Sequence, residues 1–402
     1  MKTLYFALIC LVTISNNAIS SNTKHLSETQ KEPIFERAEQ RKLAEDDNYI
    51  IIYFNKQVEY SKFQNQNRQI ISKIMVNNEV KDLDSQFTIP SNTGLEVYFE
   101  GAINSFEYFF SVEEDNNANF IFTVNFSHFN WSNFTNMYYL FKGCKGLKSI
   151  DLSNSDLSKV TDMRSTVKGC SSLESFTFPK NLQNVLSMED MFYECSKLQS
   201  INLSNLDLSK ITSMNSMFFG CSSLRSVTFP ENLPNLKVIE RMFHSCTGLK
   251  SIDLSKFDLS KVTYMDEFFN GCTSLESVTF PENLQNVKAM KYMFKSCTSL
   301  KSIDLSNCNL TIVENMNYFF QDCISLESVK FPNSLQIGNP SDMFTRCSSS
   351  LQSIDLSNID LSKTTVMDCM FESCSKLESI IFPKSGSKNL KSIIALIRNC
   401  SL

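Results

Sequence analysis

Eleven cysteines, Cys144, Cys170, Cys195, Cys221, Cys246, Cys272, Cys297, Cys323, Cys347, Cys374 and Cys400, follow one another at steps of 26, 25, 26, 25, 26, 25, 26, 24, 27 and 26 residues. Self-similarity with a period in the twenties excludes most globular folds. A unit that short cannot bury its own apolar face, so successive units must stack and share a columnar core. Function is then expected on a surface of the column.

Aligned on their cysteines, the units alternate between two forms. One reads Leu249-Lys-Ser-Ile-Asp-Leu-Ser255 and the other Leu275-Glu-Ser-Val-Thr-Phe-Pro281, giving a superrepeat of 51 residues that the irregular steps around Cys347 preserve. A unit without the cysteine precedes them, since Ile121, Val124 and Phe126 match Leu147, Ile150 and Leu152, so eleven units are expected between about Asn119 and Cys400. Leu249, Ile252 and Leu254 make a Leu-x-x-Ile-x-Leu pattern whose alternation from Ser251 onward predicts a short strand. Met290, Met293 and Phe294 lie three and four residues apart, which predicts one face of a helical turn closing the core. Equivalent trios include Met188/Met191/Phe192 and Met214/Met217/Phe218. The fold class expected is an α/β repeat solenoid of the leucine-rich-repeat type, with one parallel β-sheet and short helical turns. The Met-Phe faces read as core, because every unit carries one.

The string Met214-Asn-Ser-Met-Phe-Phe-Gly-Cys-Ser-Ser-Leu224, with Leu300-Lys-Ser-Ile-Asp-Leu-Ser306, resembles the BspA-like leucine-rich repeat surface proteins of surface-living bacteria and microbial eukaryotes. The resemblance runs from about Asn119 to the end. It implies a secreted or surface-displayed solenoid used for adhesion or ligand binding, and it carries over no catalytic residue. Departures are Thr166-Val167 in place of Met-Phe, Pro340 in a Met position, and a chain that stops two residues after Cys400 without a recognisable cap. The last of these leaves open a truncated product or an end-to-end partner.

The remaining sequence sets the context. Met1-Lys2-Thr3, an apolar run from Leu4 to Val12 and the small-residue site Ala18-Ile19-Ser20 read as a signal peptide over residues 1–20. Residues 21–48 are charged and apolar-poor, a linker or pro-segment. Residues 49–118 hold four β-branched and aromatic runs, at 49–54, 70–76, 86–89 and 95–99, separated by turn residues, and are expected to form a β-rich cap on the solenoid at 119–402. No later run reaches the ~18 apolar residues of a membrane span. The net charge of −5, from 38 basic and 43 acidic residues, is dispersed, so nucleic acid is not an expected partner. An extracellular or cell-surface location is expected, with a protein or glycan ligand.

Chemistry-bearing residues are sparse. Three histidines, His25, His128 and His244, and the lack of a Cys-x-x-Cys pair argue against zinc. No nucleophile elbow or phosphate loop is present, so neither catalysis nor a cofactor is expected. The repeat cysteines could pair in an oxidising compartment, but in-register side chains projecting the same way favour a ladder of buried thiols. The outward strand positions form a hydroxyl-rich, mildly acidic strip of Ser149, Asp151, Ser175, Thr177, Ser200, Asn202, Ser226, Thr228, Ser251, Asp253, Ser277, Thr279, Ser302 and Asp304. That strip is the candidate binding face, with the simple solubility of a regular sheet as the competing reading. Beside it, Lys250, Glu276, Lys301 and Glu327 alternate in charge and are expected to pair across the ladder. Sequons at Asn125, Asn130, Asn133, Asn202, Asn309 and Asn399 would accept N-glycans in a eukaryotic secretory route. Two functions follow: a non-catalytic binding or adhesion module, and a coat component that self-associates end to end.

Overall fold

A computed structural model of the chain describes residues 48–401 apart from 55–57, 61–70, 83–84, 91–92, 102, 107–108, 111–120, 232, 334 and 385–387. The expected signal peptide and the charged segment before Asn48 lie outside the described residues, as does the expected cap boundary at 118/119.

The four β-rich runs become β1 (Tyr49–Phe54), β3 (Ile71–Val76), β5 (Phe87–Ile89) and β6 (Gly94–Phe99), joined by the short strands β2 (Val58–Tyr60) and β4 (Glu79–Lys81). β7 (Ile121–Asn125) lies antiparallel to β1, with Ile52 opposite Val124, and parallel to β8 (Ser149–Asp151). One sheet, in the order β4-β3-β6-β1-β7-β8-β9, therefore runs from the antiparallel cap into the repeats and leaves no open edge at the seam. Phe110 serves as the rung before the first repeat. Its ring stacks on Phe141 at 4.8 Å, and its carbonyl accepts the Cys144 thiol at 3.0 Å, as the Phe141 carbonyl accepts that of Cys170.

Three-residue strands then recur as β9 (Ser175–Thr177), β10 (Ser200–Asn202), β11 (Ser226–Thr228), β12 (Ser251–Asp253), β13 (Ser277–Thr279), β14 (Ser302–Asp304), β15 (Ser328–Lys330), β16 (Ser353–Asp355) and β17 (Ser379–Ile381). With β8 they mark ten turns of the solenoid. They do not form the single sheet that the repeat suggests. β10 pairs with β11, β12 with β13, β14 with β15 and β16 with β17, while no ladder joins β9 to β10 or β11 to β12. Each break coincides with a 25-residue step out of a Phe-Pro unit, where a proline without an N–H stands at the strand exit.

The expected helical turns are also absent, for no residue among those described is helical. The Met-Phe segment is instead a run of tight turns. The amides of Met188, Asp190, Phe192 and Glu194 donate to the carbonyls of Ser213, Asn215, Met217 and Phe219 in the next unit at 2.6–3.0 Å. The amides between them, of Met191, Tyr193 and Cys195, close back three residues to Met188, Asp190 and Phe192. An α-helix needs every amide for its own i−4 carbonyl; here half are committed to the neighbouring unit. Asp190 and Glu194, at φ of 54° and 57°, take the left-handed conformation such turns require. The spacing of Met188, Met191 and Phe192 still places all three in the core.

Inside, the Met-Phe phenylalanines form a ladder. Phe192, Phe218, Phe243, Phe269, Phe294, Phe320, Phe344 and Phe371 stack in order at centroid separations of 5.3–5.7 Å. Where Thr166-Val167 interrupts the pattern, the buried Thr166 hydroxyl donates to the Met163 carbonyl at 2.7 Å, so the polar group enters the core satisfied.

Candidate functional site

The repeat cysteines stand as free thiols, and all but Cys400 are buried. Each donates its S–H to the carbonyl one unit back: Cys221 to Phe192 at 3.0 Å, Cys246 to Phe218 at 3.1 Å and Cys272 to Phe243 at 3.0 Å. Burial pushes the thiols of Cys272 and Cys374 up to about 12 and the others upward too. A thiol held protonated is neither nucleophile nor metal ligand. The column therefore stitches units together, each thiol bonded to a carbonyl of the preceding unit.

The strip is where the strand pattern puts it. The outer residues of β9 to β14 are exposed and their central residues face the core. Register is kept within each pair, Ser251 opposite Ser277 and Asp253 opposite Thr279. The first strand is more enclosed, with Ser149 half-buried and Asp151 exposed.

The Asp and Asn members of the strip have an internal duty the sequence reading did not assign. Asp151, Asn202, Asp253 and Asp304 each accept, through Oδ1, the backbone amide two residues on, from Ser153, Ser204, Ser255 and Ser306 at 2.9–3.0 Å. These are Asx turns that take the chain out of the strand. In the other repeat form the residue two on is Pro179, Pro230 or Pro281, which has no amide to offer, and the strip residue is Thr177, Thr228 or Thr279. The alternation of Asp or Asn with Thr thus follows the Ser/Pro alternation, and the Oδ1 of each Asp or Asn is spent before any ligand arrives. The hydroxyl column remains for recognition, with the second carboxylate oxygens of Asp151 and Asp253; that of Asp304 meets Lys330 Nζ at 3.2 Å. The expected Lys250–Glu276 and Lys301–Glu327 pairing does not occur. Among the described residues the ion pairs lie elsewhere, and it is the Glu276 amide that reaches the Lys250 carbonyl, at 2.8 Å.

A second surface, on the Met-Phe turns, went unread in the sequence. Tyr193, Phe219 and His244 stack in successive units at 4.5 and 4.3 Å, and Tyr292 stacks on Tyr318 at 4.6 Å. Arg241, Glu267, Lys291 and Tyr292 help line a shallow depression there, with an Arg241–Glu267 ion pair at 2.7 Å. Burial lowers the His244 imidazole's affinity for a proton against the opposing pull of Glu267. The available signal was the residue after each Met-Phe pair, which is aromatic in three consecutive units.

Of the sequons, Asn130, Asn133, Asn202, Asn309 and Asn399 are exposed and Asn125 is half-buried. Among the described residues no three His, Cys, Asp or Glu side chains are placed to hold a metal, and no helix is long and apolar enough to cross a membrane.

The family described as BspA type leucine rich repeat region matches residues 137–264, and the family described as Mycoplasma protein of unknown function DUF285 matches residues 237–355 and 301–394. The resemblance drawn from the repeat strings is thereby borne out. Solved structures similar to the chain include a leucine-rich repeat protein from Bacteroides ovatus, at 20% identity and a TM-score of 0.41, covering 83% of this chain and 92% of the other. A leucine rich cell surface protein from Faecalibacterium prausnitzii, at 20% identity and a TM-score of 0.37, covers 64% of this chain and 78% of the other. No curated protein matches the chain.

Proposed function

We propose that this chain, whose repeats are of the BspA leucine-rich type, works outside the cell or on its surface as a non-catalytic binding or adhesion module for a protein or glycan ligand. The observation that carries the proposal is the exposed hydroxyl column, Ser175 to Ser302, in register within each strand pair, on strands whose central residues pack on the core. Such a face offers many weak polar contacts and lacks the Trp, Tyr and Arg anchors of tight interfaces, which suits a repetitive polymer or an avidity-driven contact. Burial holds the repeat thiols protonated, so the cysteine column offers no thiolate. Localising the tagged chain on intact cells, together with binding of the purified chain to a glycan and matrix-protein array, tests the reading. Surface staining with array hits supports it; internal staining without hits refutes it.

A further inference from the structure

Immediately before β12, β13, β14 and β15 stand Lys250, Glu276, Lys301 and Glu327, all exposed. Among the described residues none of the four enters an ion pair. Their alternation serves no turn either, for the bonds that link them run from the Glu276 and Glu327 amides to the Lys250 and Lys301 carbonyls, at 2.8 Å. Beside them the outer residues of β12 to β15 are exposed and, Lys330 apart, small. A face this low lets a second surface approach closely, and its four charges await partners outside the chain.

The face is complementary to itself. A two-fold axis lying in the face along the strands keeps each column on its own column and reverses the order of the units. Placed between β13 and β14, that axis sets Lys250 against the partner's Glu327 and Glu276 against the partner's Lys301. It also sets Asp253 against the partner's Lys330, and Thr279 against the partner's Asp304. The two-fold makes each meeting twice. Lys330 pairs with Asp304 of its own chain at 3.2 Å yet keeps its side chain 73% exposed, open to a second carboxylate. Further out, Arg225 faces the partner's Gln352 and Gln199 the partner's Glu378. A like-charged meeting, Lys197 with the partner's Lys376, falls at these outermost units, where the partner's Glu378 is two residues away.

Other positions of the axis fit less well. A shift of one unit brings Glu276 onto the partner's Glu276 or Lys301 onto the partner's Lys301. A shift of two brings Lys301 onto the partner's Arg225 in one direction, and Asp253 onto the apolar side chain of the partner's Ile381 in the other. Juxtaposed like charges and a carboxylate desolvated against an apolar group both cost free energy, so charge selects one register.

We propose that two copies of this chain pair face to face, antiparallel, across the axis between β13 and β14, held in register by the Lys250, Glu276, Lys301 and Glu327 column. The pairing goes beyond the reading of the strip as a ligand surface and stands on a neighbouring column. A paired copy has its strip covered, so the second copy and the ligand exclude each other.

The full chain, with Asn202 confirmed by mass to be unglycosylated, is sedimented over a range of concentrations in about 0.1 M and about 1 M salt, between which the Debye length falls from ~10 Å to ~3 Å. The expected mass climbs from monomer towards dimer in the lower salt and stays monomeric in the higher. Lys250→Glu and Glu327→Lys, both at exposed positions, each melt like the parent and weaken the pairing about tenfold, because each sets like charges together twice. An equimolar mixture of the two variants pairs as well as the parent, since each supplies the charge the other needs at both meetings. The proposal is overturned if the parent stays monomeric in the lower salt, if its association is unchanged by the higher salt or by Lys250→Glu, or if the mixture pairs no better than either variant alone. Array hits from a chain that stays monomeric remove the pairing and leave the strip reading standing; pairing as expected without array hits does the reverse.

Discussion

The Ser255 amide donates to Asp253 Oδ1 at 2.9 Å, and one unit later the residue aligned with Ser255 is Pro281, facing Thr279 in place of the acid. Acceptor and donor appear together and vanish together along the column. Turn chemistry thus accounts for an alternation that read at first as a mildly acidic ligand strip.

That relationship sets an acid limb on stability. The amide and hydroxyl of Ser255 hold the Asp253 carboxyl below its ordinary value of 3.8, and the equivalent serines do the same for Asp207, Asp258, Asp304 and Asp360. A carboxyl depressed in the folded state stabilises the fold above the unfolded value, and that contribution is lost as pH falls through the folded one. The thermal midpoint is expected to be flat from neutrality down to about pH 5 and to drop below about pH 4. Asp253→Asn should match the parent at neutral pH, since Asn202 already makes the same turn, and should soften the acid limb. A circular-dichroism melt series across pH checks both.

The thiol ladder predicts a reactivity pattern. Eleven of the thirteen described cysteines are buried and two, Cys369 and Cys400, are partly exposed. Of the described cysteines, Ellman's reagent at mildly alkaline pH should modify only those two in the native protein, slowly because both thiols are raised, Cys369 to about 11. In denaturant without reductant all thirteen of these should react, and Cys10 with them wherever the first residues are retained. A shortfall of several thiols would mean that the column is oxidised.

Left-handed positions predict an asymmetry between glycine and its replacements. Gly169 sits at φ 77° with nothing nearer its missing Cβ than the Gly143 Cα at 3.6 Å. Gly169→Ala therefore loses stability through backbone strain alone, about 1–2 kcal/mol. Ser296, at φ 59° in the same place of another unit, already bears that strain, so Ser296→Gly should stay within about 1 kcal/mol of the parent. Urea melts of the two variants provide the comparison.

Removing a rung tests the core. Phe269 is fully buried and stacks on Phe243 and Phe294 at 5.7 and 5.6 Å. Phe269→Ala should cost about 3–5 kcal/mol. Because each unit touches only its neighbours, hydrogen exchange should rise most in the units flanking Cys272 and least in the cap.

Much of this was legible beforehand, for a physical reason. A period repeated eleven times amplifies a weak local signal, so the interior positions Leu249, Ile252, Leu254, Met290 and Phe294 were readable and lie inside. The turn conformation was not. Met188, Met191 and Phe192 have the same spacing on a helix as on a pair of tight turns, and the choice is made by amides that bond to a unit 25 residues away. Likewise the sheet is cut at each Phe-Pro exit by hydrogen bonds that are missing between units. In the candidate site, the Ser column was visible as a pattern. The stack of Tyr193, Phe219 and His244 was not, because each ring meets its partner only one unit away.

The central claim is that the exposed hydroxyl column is a binding face. Its most direct test compares the parent chain with the double variant Thr228→Lys/Thr279→Lys on one glycan and matrix-protein array. Both positions are exposed and in register with strands that keep their cores, so the variant should melt within a degree or two of the parent. The account predicts array hits for the parent that are lost in the double variant. No hits for the parent, or hits that the two lysines leave unchanged, would contradict it.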